Sequence, residues 1–210
     1  MSAPGWPARL ADGPVGIRPL RLRDGASWVE VRTRNEQWLV RWEATPPGFD
    51  NPRLSWNDRQ SIGIYTAMLR SLRKQGREGS ALPFAITYEG RFCGQLTVGN
   101  VVRGAFNSAY VGYWVDEAVA GRGVMPTALA LVVDHCFGPA RLHRIEANIR
   151  PENVASKRVV EKLGFRDEGL HRKYLAIDGA YRDHIGYAVT VEDVPEGMLR
   201  RWHRVRQQQS

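Results

Sequence analysis

Cysteine is almost missing from this 210-residue chain: Cys93 and Cys136 stand alone and far apart, which excludes a disulfide scaffold and any CxxC-type zinc site. Lysine is scarce as well, with only Lys74, Lys157, Lys162 and Lys173 among the 30 basic residues; the rest are arginine. No apolar run approaches the ~18 residues that a membrane span needs. The stretch from Met1 to Pro14 is rich in Pro, Gly and Ala and lacks the apolar block of a signal peptide. The five histidines fall at no metal-ligand spacing, so no metal is expected. What is present is ordinary for a folded chain, 43% hydrophobic and 25% charged residues, enough for one good core. The expectation is a single-domain cytoplasmic protein: a flexible segment over 1–14, one domain over 15–194, and a basic helix or tail over 195–210.

The net charge of +8 suggests an anionic partner, but the basic residues are spread along the chain. Only the tail, with Arg200, Arg201, Arg204 and Arg206, is locally basic. A small anionic cofactor therefore accounts for the charge better than a nucleic acid does.

Gly16 to Arg23 reads as an edge strand, where Pro19 is tolerable. Asp24 caps a helix carrying Trp28 and Val31, and a short helical piece follows over Glu36 to Trp42. Residues 44–54 are a loop by composition, and Ser55 with Asp58 reads as a capping box opening a long helix to about Gln75. Strands follow over Pro83 to Tyr88, Phe92 to Val102 and Tyr110 to Val115, the first two joined at a Glu89-Gly90 turn. A helix runs from about Val124 to Phe137 with Leu129, Val132, Val133 and Cys136 on one face, and Ile145 to Ile149 is a strand. Asn153 caps the next helix and Gly164 ends it. Phe165 to Ile177 and Ala180 to Val191 form a hairpin turning at Asp178-Gly179. Met198, Leu199, Trp202 and Val205 share one side of an amphipathic tail helix. It either docks on the domain or contacts RNA. The fold class is α/β (α+β), a mixed sheet with helices on both faces.

The informative stretch runs from Tyr110 to Thr127. A strand ends near Val115, and a loop with Gly121 and Gly123 leads straight into a helix. Backbone N–H groups at such a junction converge on one point and suit a pyrophosphate. Pro126 in the first turn costs nothing, since its missing N–H would have been unpaired. No Gly-Lys-Ser/Thr follows, so this is not a Walker loop, nor is it GxGxxG.

Ala120-Gly-Arg-Gly-Val-Met125, Asn153-Val-Ala-Ser156 and Leu163-Gly-Phe165 together resemble the GNAT superfamily of acetyl-CoA-dependent N-acetyltransferases. Asn100-Val-Val-Arg-Gly104, His143-Arg-Ile-Glu-Ala-Asn148 and Ile177-Asp-Gly-x-Tyr-Arg-Asp-His184 resemble its RimJ branch, as do Asn35-Glu-x-x-Leu39 and Trp42-Glu43. The resemblance spans about residues 15–190. It implies a sheet splayed at its centre, acetyl-CoA as cosubstrate, and the amino-terminal alanine of a small-subunit ribosomal protein as acceptor. By the same resemblance, acetyl-CoA contacts fall to Trp114, Val115, Ala120, Gly121, Arg122, Gly123, Val124, Met125, Asn153 and Ser156. The N–H near Val115 would serve as oxyanion donor, and the Ser156 hydroxyl would bond the leaving sulfur.

Ala120 stands where the superfamily usually has Gln or Arg, and Met125 where Gly or Ala is common; neither matters to a backbone cradle. The glutamate base and tyrosine acid of the RimI type are replaced by Asn148 and Val160. Glu146 is then the nearest carboxylate, either a base acting through water or a partner of an arginine such as Arg150. Asp183 and His184 point opposite ways, and Tyr174 and Tyr181 flank the final hairpin.

The missing base bears on the acceptor. An α-amine with pKa about 7.7–8.0 costs roughly 1 kcal/mol to deprotonate at pH 7, whereas lysine at about 10.4 costs about 4.6 kcal/mol. A protein amino terminus is therefore the expected acceptor. A small-molecule amine and a ribosome- or RNA-associated role with little activity stay open as alternatives.

Overall fold

The computed structural model describes residues 3–45 and 55–208. One eight-stranded sheet forms the frame, in the order β1-β2-β3-β4-β5-β6-β8-β7. The strands are β1 (Leu10–Asp12), β2 (Val15–Pro19), β3 (Leu82–Tyr88), β4 (Arg91–Val102), β5 (Ser108–Val115), β6 (Arg144–Ile149), β7 (Arg166–Ile177) and β8 (Ala180–Thr190). All neighbours are antiparallel except β5 and β6. That parallel pair holds register for only three residues, Ser108 to Tyr110 against Arg144 to Glu146, and then the strands part.

Both faces of the sheet are covered, and β3 records this directly. Leu82, Phe84 and Ile86 enter the larger core beneath α4 (Val124–Phe137), α5 (Val154–Lys162) and α6 (Met198–Gln208), while Ala85 packs with Trp28, Tyr65 and Leu69 of α1 (Gly25–Arg34) and α3 (Ile62–Glu78). Alternate residues of a strand face opposite ways, so a strand between two layers is apolar throughout. The short α2 (Glu36–Leu39) continues into a 3-10 turn at Val40–Trp42.

Several boundaries differ from the sequence reading. The strand read at Gly16 to Arg23 stops at Pro19 and is not an edge, because β1 from the supposedly flexible amino terminus pairs with it. Trp6 of that segment also packs edge-on against Phe84. Asp24 does not cap α1; its carboxylate takes Arg18 and the Arg21 N–H instead. Ser55 and Asp58 do bond each other reciprocally, but around a 3-10 turn at Asn57–Arg59. The long helix starts one signal later, with the Ser61 hydroxyl accepting from Ile64 N–H at 3.2 Å. Of the loop read over 44–54, residues 46–54 lie outside the described residues.

Helix α4 is buried on nearly every side rather than on one face. Its outer surface is covered by α6, whose Trp202 is 2% exposed and donates to Thr127 Oγ1 at 2.8 Å. Asp134 of α4 accepts from the first N–H groups of α6, Met198 and Leu199, at 2.5 and 3.0 Å. The amphipathic tail helix thus exists and docks on the domain.

Candidate functional site

The junction between β5 and α4 is built as an open ring of donors. Asp116 ends the strand, its N–H donating to the Cys93 carbonyl at 2.8 Å. Its carboxylate accepts from Arg34, from Asn35 Nδ2 at 2.9 Å and from Ala118 N–H at 3.2 Å, while Asn35 Oδ1 accepts from Glu117 N–H at 2.9 Å. These bonds tie the loop's start to the α1–α2 junction. Beyond it, the five successive N–H groups of residues 121–125 take no partner among the described residues. Gly121 and Gly123 make this geometry accessible, with φ of 75° and 77°. A Cβ at Gly121 would stand in open space. A pyrophosphate therefore fits: unpaired donors at a helix start, room for close approach, and the positive end of the α4 dipole.

One cleft of about 1740 Å³ joins this loop to the place where β5 and β6 separate. Trp114, Val115, Ala120, Gly121, Arg122, Gly123, Val124, Met125, Asn153 and Ser156, all named from sequence, line it. Asn153 is a true cap, its Oδ1 accepting from Ser156 N–H at 3.1 Å. Across the splay, the Tyr113 hydroxyl donates to the Ser156 carbonyl at 3.4 Å, so β5 and α5 are linked below the gap. Burial pushes the Tyr113 hydroxyl well above its usual pKa and keeps it protonated. Burial likewise pushes both cysteine thiols up to about 12, so neither is a nucleophile.

Glu146 is the site residue that the structure does not bring into the cleft. It accepts from Arg144 Nε at 2.9 Å, and Arg144 also holds Glu168 of β7, with Nη1 at 3.0 Å. The strand's two-residue period puts Arg144 and Glu146 on one face, so the nearest arginine captures the carboxylate. Arg150 instead pairs with Glu152 at 3.3 Å and donates to the Arg41 carbonyl at 2.9 Å. Asn148 has a buried, unpartnered Oδ1, and Val160 is fully buried in the core, so neither position supplies an acid or base to the cleft. Tyr174 packs beside His171 and His184, away from the cleft, and Tyr181 also lies outside it.

Sequence reasoning missed the half of the cleft opposite the loop. Six of the seven tryptophans line the cleft: Trp28, Trp38, Trp42, Trp56, Trp114 and Trp202. Trp38 Nε1 donates to the Val115 carbonyl at 3.1 Å. Arg32 is buried with its guanidinium 5.0, 4.8 and 5.3 Å from the rings of Trp28, Trp56 and Trp114. Its Nε donates to Gln60 Oε1 at 2.6 Å, and its Nη2 lies 2.8 Å from Glu43 Oε1. The tryptophan count was the available signal. Among the described residues no group of three His, Cys, Asp or Glu side chains is arranged to hold a metal, and no helix is long and apolar enough to cross a membrane.

Residues 15–166 match the acetyltransferase (GNAT) domain family. A probable N-acetyltransferase of Bacillus subtilis, YjcK, is 42% identical over 181 residues, covering 85% of this chain and 95% of the relative. The [ribosomal protein uS5]-alanine N-acetyltransferase of Escherichia coli is 31% identical over 191 residues, covering 90% and 94%. Among solved structures, Mycobacterium smegmatis RimJ in complex with CoA-disulfide superposes with a TM-score of 0.90 at 41% identity, covering 96% of each chain. With the splayed sheet and the donor loop, these matches make the chain a member of the GNAT acetyltransferase family, an acyltransferase that uses acetyl-CoA.

Proposed function

We propose that the chain transfers the acetyl group of acetyl-CoA to the α-amine of a protein amino terminus, that of a ribosomal protein beginning with alanine in particular. The observation carrying this reading is the likeness to M. smegmatis RimJ over 96% of each chain. The E. coli relative named for uS5 alanine supports the acceptor. So does the chemistry of the cleft. With Asn148 and Val160 where an acid/base pair would stand, the site suits an amine that is partly neutral at pH 7. Water in the open cleft takes the amine's proton. We assign the loop N–H groups of residues 121–125 to the pyrophosphate and the strand-end N–H at Val115 to the thioester oxygen. The Ser156 hydroxyl is assigned to the leaving sulfur.

A ribosomal acceptor puts the protein in the cytoplasm. Ribosome contact through the tail would fall to the exposed arginines of α6, Arg200 and Arg204 among them. The test is labelled acetyl-CoA with peptides beginning Ala, Ser or Met, each carrying an internal lysine, mapped by mass spectrometry. Acetylation at the Ala or Ser terminus is expected. Modification chiefly at the internal lysine, with free termini spared, would refute the reading.

A further inference from the structure

We infer that Glu43 is the anchor for the cationic α-ammonium of the acceptor, and that buried Arg32 holds its carboxylate in place. The inference rests on the amino-terminal acceptor proposed above.

Residues 41–45 form a strap over the gap between the splayed strands. The Arg41 carbonyl accepts from Arg150 Nη1 at the end of β6. Thr45 N–H donates to the Ala176 carbonyl at 3.1 Å, Asp178 N–H donates to the Glu43 carbonyl at 3.3 Å, and Ala44 bridges to Ile177. The strap is thus fixed to β6 and to the tip of the β7–β8 hairpin, on the far side of the gap from β5. The Glu43 side chain reaches back toward β5, to Arg32. Arg32 in turn stacks beside Trp114, the residue before Val115 on the strand read as carrying the thioester. The carboxylate is thus tied through Arg32 to the Trp114 ring, within the same cleft as the strand read as carrying the thioester.

Its chemistry suits a cation. Arg32 occupies Oε1, and Oε2 accepts no hydrogen bond from the described residues. The Glu43 side chain lines the cleft and keeps 38% exposure, against 6% for Arg32. Three indole rings and the Gln60 bond fix the guanidinium, so the carboxylate is oriented before a ligand arrives. The other cleft carboxylates are placed differently: Glu152 pairs with Arg150, and Glu117 sits on the exposed turn beside the anion loop. An ammonium presents three donors and bonds a carboxylate through charge-assisted hydrogen bonds. The ammonium gives its proton to water before the neutral amine attacks, and acetylation then removes the basic nitrogen, so the product loses its hold on Glu43 and is released.

The experiment compares an Ala-starting decapeptide with its N-acetylated form. Binding to the CoA complex is measured by calorimetry for wild type and Glu43→Gln. Wild type should prefer the free amine by roughly ten- to a hundredfold, the range of a charge-assisted bond. Glu43→Gln should lose that preference and raise KM for the peptide by a similar factor, with unchanged acetyl-CoA affinity showing that the fold and loop are intact. Glu43→Asp should recover part of the preference. A wild type that acetylates the peptide yet binds both forms equally would overturn the inference, whatever the variants do. So would a Glu43→Gln enzyme with full preference. A wild type that binds acetyl-CoA but acetylates no amino terminus would overturn the acceptor proposed above, and this inference with it.

Discussion

Gly121 and Gly90 form a matched pair for testing the anion loop. Gly121 has φ of 75° and Gly90 has φ of 79°, and a Cβ at either position meets nothing within 4 Å. Alanine at either site therefore carries the same backbone strain, about 1–2 kcal/mol for a left-handed non-glycine residue. For a chain of this size that lowers Tm by about 2–8 °C, and by the same amount in both variants. Their effects on acetyl-CoA should diverge. At Gly90, in the β3–β4 turn, the methyl group points into solvent. At Gly121 it enters the ring of unpaired N–H groups and keeps a phosphate from at least one of them. A hydrogen bond to a charged group is worth about 1.5–3 kcal/mol, so Kd should rise roughly ten- to a hundred-and-fiftyfold. Thermal melting and calorimetry on the two variants measure both terms. Equal Kd values would refute the pyrophosphate assignment. Gly123→Val is a poorer probe, because a Cβ there already meets Trp202 Cζ2 at 3.3 Å and the substitution would disturb α6 as well.

Trp202→Phe removes the buried bond to Thr127 and should cost about 1–2 kcal/mol in chemical denaturation. In a Thr127→Val background the same change should cost less, and full additivity would show that the bond contributes nothing. Asp116 gives a pH signature. Burial disfavours its charge, but the bonds from Arg34, Asn35 and the Ala118 N–H outweigh that and hold the carboxyl below its usual range. A carboxyl depressed in the native state stabilises the fold fully above its unfolded pKa of about 3.9, and that stability is lost as pH falls through the native value. Asp116→Asn should therefore lose about 2 kcal/mol at pH 7, discounted because Arg34 is half exposed, and the gap to wild type should close on acidification. A gap that persists to low pH would contradict this account.

Local features were legible in the sequence. The turns at Glu89-Gly90 and Asp178-Gly179, the Asn153 cap and the start of α4 at Val124 each depend on a few adjacent residues with one dominant conformation. The anion-loop half of the cleft is a continuous segment, 114–125, plus one helix start, so a linear reading could gather residues that line one cleft. The opposite half is assembled from distant pieces. Arg32 meets Gln60 and Trp114, and Asn35 meets Asp116, through contacts that no local pattern encodes. Glu146 shows the same limit in reverse: of its two readings the structure shows the arginine pairing, with Arg144 in place of Arg150. Its strand position was right, but Arg144 and the distant Glu168 determine where its carboxylate goes. Where two capping signals compete, as at Ser55 and Ser61, propensity alone does not choose between them.

The gathering of six indoles in one cleft gives the protein a built-in optical reporter. Trp6 packs apart against Phe84, so its emission is a steady background. Nearly all of the remaining intrinsic fluorescence arises where ligands enter. Trp202 lies beside the anion loop and should answer to acetyl-CoA, while Trp28 and Trp56, against Arg32, should answer to the acceptor. Stopped-flow emission from unlabelled protein can therefore separate the arrival of the two substrates, with Trp202→Phe silencing one channel and sparing the other.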